Sequence, residues 1–267
     1  MSRVQYHAAL ALVALLAGVS ASHTGAGYVC QHPPYETRLI SSSPLVVYLD
    51  GFVTPEERFH LKAATHGLFA RSAVAGRDSA DDRTINRVRT SQSTNIPRDD
   101  VVQCIEQRAL RFQGLFAEQE ERLEPLQLVK YGIGEHYHYH TDWYTDPVHA
   151  TADLGGNRAS SFFAYVHVSG NESTSTEKLR GGGTNFPVLD APIEDGWCDF
   201  IDCDEPWENG ITFRPVEGSA VYWENLVPGS QDQGDPRTLH AGLAVVRGEK
   251  IGMNIWTRQS KLPLGAR

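Results

Sequence analysis

Residues 134–146 read GEHYHYHTDWYTD and crowd His136, His138, His140, Asp142 and Asp146 into one short stretch. Imidazoles and carboxylates together are the ligands of transition metals that keep coordination positions open. On an extended strand, alternate side chains share a face, and neighbours on that face stand about 6.6 Å apart. Two such side chains reach one ion through bonds of about 2.0–2.2 Å, whereas three or four do not. On this reading His136, His138, His140 and Asp142 lie on one side, and the ion takes either His138 with His140 or His140 with Asp142. His136 is too far along the strand.

The second pairing offers one imidazole and one carboxylate. A further histidine from elsewhere in the chain would complete a 2-His-1-carboxylate facial triad, the ligand set of non-haem Fe(II) oxygenases. Far downstream, RTLHAGLAVVRGEKIGMNIWTR places His240 in a strand-like run with Lys250 ten residues later. Lys250 opens an alternating apolar strand and shares parity with Asn254 and Trp256, which aims it inward. An inward cation needs an anion. A dicarboxylate co-substrate provides one, chelating iron through its keto-acid end and pairing its far carboxylate with the lysine. His149 and His167 lack the partner that Lys250 gives His240 and are poorer third ligands.

The blocks YGIGEHYHYHTD, GGGTNFP, GSAVYWEN, DPRTLHAG and GEKIGMNIWTR occur in this order. With FVTPEERFHL, RVRTS and EPLQLVKY upstream, they resemble the prolyl 4-hydroxylase-type 2-oxoglutarate/Fe(II) dioxygenases over most of residues 45–260. CDFIDCDEPWENGITF points toward fungal-type secreted members. The resemblance implies a double-stranded β-helix (jelly roll) with His140, Asp142 and His240 as iron ligands. It implies Lys250, Tyr131 and Thr184 as 2-oxoglutarate contacts and Tyr137, Arg158 and Trp256 as the lining of a substrate groove. It also implies Fe(II), 2-oxoglutarate and ascorbate as cofactors, O2 as co-reactant, and hydroxylation of peptidyl-proline to 4-hydroxyproline. The same chemistry on a small-molecule biosynthetic substrate is the alternative. The chain departs from the family pattern at Gly183, where an acidic residue is common, and in an acidic insertion from Asp195 to Asn209. That insertion reads as a disulfide-pinned surface loop.

Two helices and a set of strands must position these groups. Thr54, Pro55 and Glu57 give the start of a helix with a capping box. Val101, Ile105, Ala109, Phe112 and Phe116 recur at helical spacing and form one apolar face. From Leu126 the period falls to two, predicting strands near 126–131, 136–142, 161–169, 211–213, 219–225, 239–246 and 250–258. Residues 22–43 read as an irregular tail and 71–97 as mostly loop. Helices followed by many short strands predict an α+β fold, an antiparallel jelly roll buttressed by helices. The expected divisions are a signal peptide at 1–21, a tail with supporting helices at 22–120, and the dioxygenase jelly roll at 121–260.

The chain has 267 residues and a formal net charge of −9. With no Lys/Arg block, nucleic-acid binding is not expected. Residues 1–21 have signal-peptide grammar, and the apolar run from Ala8 to Val19 is shorter than the roughly 20 residues of a membrane span. The expected location is the secretory pathway, in the endoplasmic reticulum lumen or outside the cell. Four cysteines then form an even set. Cys198 and Cys203 are close enough to staple a loop, which leaves Cys30 with Cys104. Asn171-Glu172-Ser173 is a glycosylation sequon.

Overall fold

The computed structural model describes residues 28–72, 88–169, 178–191, 195–206 and 209–266. The signal-peptide segment and the sequon at Asn171 lie outside the described residues. Among them, no helix is long and apolar enough to cross a membrane.

The main sheet holds eight strands: β1 (Glu36–Ser42), β2 (Leu45–Asp50), β3 (Ala70–Arg71), β4 (Gln92–Asn95), β5 (Gln127–Tyr131), β7 (Arg158–Val168), β11 (Ala220–Glu224) and β14 (Lys250–Arg258). Their order is β1-β2-β11-β7-β14-β5-β4-β3, and the pairs are antiparallel. A smaller sheet, ordered β10-β9-β12-β6, is made of β6 (Tyr137–His140), β9 (Thr184–Phe186), β10 (Ile211–Phe213) and β12 (His240–Gly242). β8 (Arg180–Gly181) and β13 (Val245–Arg247) form a two-stranded ribbon. The two larger sheets pack as a jelly roll.

One apolar layer lies between these sheets. Val46, Tyr48, Val129, Phe163, Tyr165 and Trp223 from the main sheet meet Phe186, Ile211 and Phe213 from the smaller one. The second layer covers the outer face of the main sheet. There α1 (Pro55–Ala64) and α2 (Asp100–Phe112) bury Leu61, Val101, Ile105 and Ala109 against Leu128, Phe162, Ala164 and Ile255. Phe162 is fully buried, with the rings of Phe52, Phe112 and Tyr222 at 5.3, 5.6 and 4.8 Å. Truncating a side chain so placed costs about 3–5 kcal/mol.

The helix signals act as read. Thr54 accepts from the Glu57 backbone and the Glu57 carboxylate accepts from the Thr54 backbone, so two orphan N–H groups are satisfied reciprocally. Glu57 then turns inward. Its carboxylate takes both terminal nitrogens of Arg108 at 2.6 and 2.7 Å, and Arg108 also donates to the Phe52 and Gln31 carbonyls. Both side chains are almost fully buried. Cys30 bonds Cys104 on α2, so the N-terminal segment is tied to the same helix, and Cys198 bonds Cys203.

Four expectations need correction. Residues 36–42 are not irregular: β1 pairs with β2 through its backbone although its side chains are mostly exposed. Of the stretch 71–97 read as mostly loop, 73–87 lie outside the described residues, and 92–95 form β4, a polar strand joined to β5. Phe116 does not extend the apolar face of α2. Gly114 takes a left-handed φ of +70° just after the helix, and Phe116 ends 72% exposed. The insertion from Asp195 to Asn209 is more than a surface loop. Its Phe200 and Ile201 are buried in the inter-sheet layer, and Phe200 stacks on Tyr48 at 4.2 Å.

Candidate metal centre and co-substrate pocket

β6 does not alternate as a plain strand does. His140 is opposite His240 and Tyr137 is opposite Gly242, so four residues of β6 span three of β12. This bulge turns Tyr137 and His140 to the same side. Their rings stack at 3.6 Å, while His138 and Tyr139 are exposed. Simple alternation, which placed His136 and His138 beside His140, is therefore overturned by one extra residue. β6 also stops at His140, and Asp142 lies beyond it in non-strand chain.

One ligand atom from each of His140, Asp142 and His240 lies within 4.8 Å of the others. Asp142 Oδ1 is 3.8 Å from His140 Nε2 and 3.9 Å from His240 Nε2. Donors bound to one ion at about 2.1 Å stand roughly 3 to 4.2 Å apart, so the three fit a single ion. The tautomers agree. Nδ1–H of His140 donates to the His138 carbonyl at 2.8 Å and that of His240 to the Thr238 carbonyl at 3.0 Å. Each ring thus keeps its Nε2 lone pair for a metal. Desolvation, with His240 close by, holds His140 down to about 3, so its ring is neutral at physiological pH. Burial pushes Asp142 up, but His240, His140 and Arg158 outweigh it and keep the carboxyl below its usual range. Two imidazoles and one carboxylate are the donor set suited to Fe(II).

Lys250 is fully buried. Its Nζ donates to the Gly182 carbonyl and lies 4.6, 5.4 and 5.8 Å from the ring centroids of Tyr131, Phe163 and Tyr165. Burial alone lowers its pKa to about 7. A cation stripped of water and given only ring faces and one carbonyl is matched to an incoming carboxylate. Gly182 adopts φ +73°, and a Cβ there would press on Val245 and the Lys250 stem. Tyr131 is pushed up to about 12 by burial and stays a neutral donor. Thr184 is buried, and its hydroxyl bonds that of Tyr165 at 2.7 Å. Position 183 has no room for the acidic residue common in the family, since a Cβ would meet Thr212 at 2.5 Å.

A cavity of about 660 Å³ joins these parts. Its walls include His140, Asp142, His240, Tyr131, Thr184, Tyr137, Arg158 and Trp256. Lys250 lies behind the wall, under Tyr131 and Phe163. The Arg158 guanidinium is bidentate to Glu124 at 2.7 and 2.8 Å and stacks on Trp256 at 3.7 Å. The Trp256 indole N–H donates to Asp142 Oδ2 at 3.0 Å. Sequence reading missed Phe163 and Tyr165, whose signal was only the alternation in FFAYV, and Glu124, which carries no motif.

Residues 126–258 match the family model of the 2OG-Fe(II) oxygenase superfamily. The chain is 30% identical over 229 residues to probable prolyl 4-hydroxylase 4 of Arabidopsis thaliana, spanning 84% of this chain and 70% of that protein. Prolyl 4-hydroxylase 2 of the same plant is 31% identical over 230 residues with the same coverage. The fold is similar to that of the viral collagen prolyl hydroxylase from Paramecium Bursaria Chlorella virus-1, solved as its 2OG complex, with a TM-score of 0.53 at 22% identity over 86% of this chain and 99% of that one. The chain belongs to the prolyl 4-hydroxylase-type 2-oxoglutarate/Fe(II) dioxygenases. As for that family, Fe(II) and 2-oxoglutarate are its implied cofactors and O2 its co-reactant.

Proposed function

We propose that this enzyme hydroxylates peptidyl-proline to 4-hydroxyproline in the secretory pathway. The observation that carries the reading is the triad of His140, Asp142 and His240 opening into one cavity whose wall covers the buried Lys250. The named relatives that match most of the chain are prolyl 4-hydroxylases. Two disulfides support an oxidising compartment.

The residues divide the work. His140, Asp142 and His240 would hold the iron. Lys250 binds the far carboxylate of 2-oxoglutarate, with Tyr131 donating a hydrogen bond and Thr184 closing the pocket beside it. Fe(II) and 2-oxoglutarate together supply, with O2, an oxidant strong enough for an unactivated C–H bond, releasing succinate and CO2. Tyr137, Arg158 and Trp256 line the groove where an extended, polyproline-II-like peptide docks on aromatic faces. Ascorbate would be the reductant that keeps such a centre active.

The test is incubation of the purified protein with Fe(II), 2-oxoglutarate, ascorbate and proline-rich peptides. Peptide-stimulated succinate with a hydroxyl-sized mass gain on proline is the expected result. Succinate production indifferent to every peptide overturns the substrate assignment.

A further inference from the structure

The oxygens of Asp142 have separate neighbours. Oδ1 faces both histidine Nε2 atoms, whereas Oδ2 receives the indole N–H of Trp256 at 3.0 Å. Arg158 stacks on the indole ring and is itself clamped by Glu124, which restrains the ring. The hydroxyl of Ser161 on β7 is near the same carboxylate and helps to hold it ionised. Ser161 is fully buried and accepts from Asn225 Nδ2 at 2.9 Å. With its oxygen occupied by that amide, the serine proton is left for Asp142. β7 lies between β11 and β14 in the sheet, and Ser161 is opposite both Trp223 and Trp256, so it stands beside the indole.

We propose that Trp256 and Ser161 are positioning residues that restrict Asp142 to a single-oxygen contact with the metal, with Asn225 setting the serine hydroxyl and the Arg158–Glu124 pair locking the indole. This rests on the assignment of Asp142 as a ligand. A carboxylate free to rotate can chelate through both oxygens and fill a coordination position that the co-substrate needs. Holding Oδ2 on the Trp256 N–H, with the Ser161 hydroxyl beside the carboxylate, prevents that. Trp256 therefore meets substrate with its ring face, since its N–H is already committed. Partners of this kind around a metal ligand are typically worth 10–100-fold in metal affinity or activity.

The test uses Co(II) as the probe. Apo protein is titrated with Co(II) and its visible d–d absorption followed for wild type, Trp256→Phe, Ser161→Ala, the double variant and Asp142→Ala. Near-ultraviolet circular dichroism of each apo protein reports folding. Each single variant should weaken Co(II) binding about tenfold and change the d–d bands, and the pair about 100-fold. A buried packing role alone would not move the bands. If Trp256→Phe does not fold, Ser161→Ala carries the test. Wild-type affinity and spectrum in the folded single variants, with binding lost in Asp142→Ala, overturn the positioning role alone. Wild-type binding in Asp142→Ala overturns the ligand assignment beneath it.

Discussion

The ammonium of Lys250 lies 4.6 Å from the ring centroid of Tyr131, and no ion pair joins it to a carboxylate among the described residues. A buried cation held by ring faces and one carbonyl is poorly compensated until an anion arrives. Replacing it with the similarly shaped Lys250→Met should raise the KM for 2-oxoglutarate at least 100-fold. That matches the roughly 2–5 kcal/mol lost on removing one partner of a buried charge pair. Steady-state kinetics at varied 2-oxoglutarate checks this, and a KM within threefold of wild type would refute the assignment.

The same residue makes binding depend on pH. Lys250 in the apo protein is lowered to about 7 from 10.5, so its charged fraction falls as pH rises above 7. Affinity for 2-oxoglutarate should drop about tenfold per pH unit above 7. Stability moves the other way. Between pH 7 and 10.5 the unfolded chain holds a proton that the folded chain has released, so this residue's contribution rises with pH and is lowest below 7. Denaturant melts of apo wild type minus Lys250→Met, taken from pH 6 to 10, should show that slope.

His138 and His140 should separate cleanly. His140→Ala should abolish Co(II) binding and turnover. His138 is exposed on the outer side of the bulge, so His138→Ala should leave both within about twofold of wild type, as for surface changes. Paired metal titrations decide.

The buried Arg108–Glu57 pair is a stability element. Arg108→Met leaves a carboxylate with Tyr28 as a remaining hydrogen-bond partner but no cation, and should cost about 3–5 kcal/mol in urea unfolding. Glu57→Gln combined with Arg108→Met should recover part of that loss.

The two disulfides differ in the loop they close. The loop-entropy relation gives about 4.5 kcal/mol for Cys30–Cys104, with a separation of 74, and about 2 kcal/mol for Cys198–Cys203, with a separation of 5. Paired serine substitutions, compared by melting, should rank in that order.

Thr54, Pro55 and Glu57 announce a helix because capping is local, and the structure honours each signal. His140, Asp142, His240 and Lys250 stood out in the sequence for another reason. Metal and anion binding demand particular side chains, and the structure brings the first three within ligand reach of one another and buries the fourth. The bulge in β6 left no mark, since it arises from pairing with β12, distant in sequence. β1 and β4 were hidden because edge and polar strands are held by backbone bonds that side-chain periodicity does not report. Phe200 and Ile201 look like loop residues inside an acidic segment. Only the packing of Tyr48 and Phe213 beside them shows that they belong to the interior.

The extra residue of β6 binds the fates of two distant segments. His140 faces His240 because the mismatch in count is shared between their strands. A recombinant chimera whose crossover fell between them would marry a bulged strand to a partner shaped for regular pairing, and the His140 ring would leave its place beside Asp142 and His240. In such shuffling the two segments should travel as one heritable module, however far apart the gene places them.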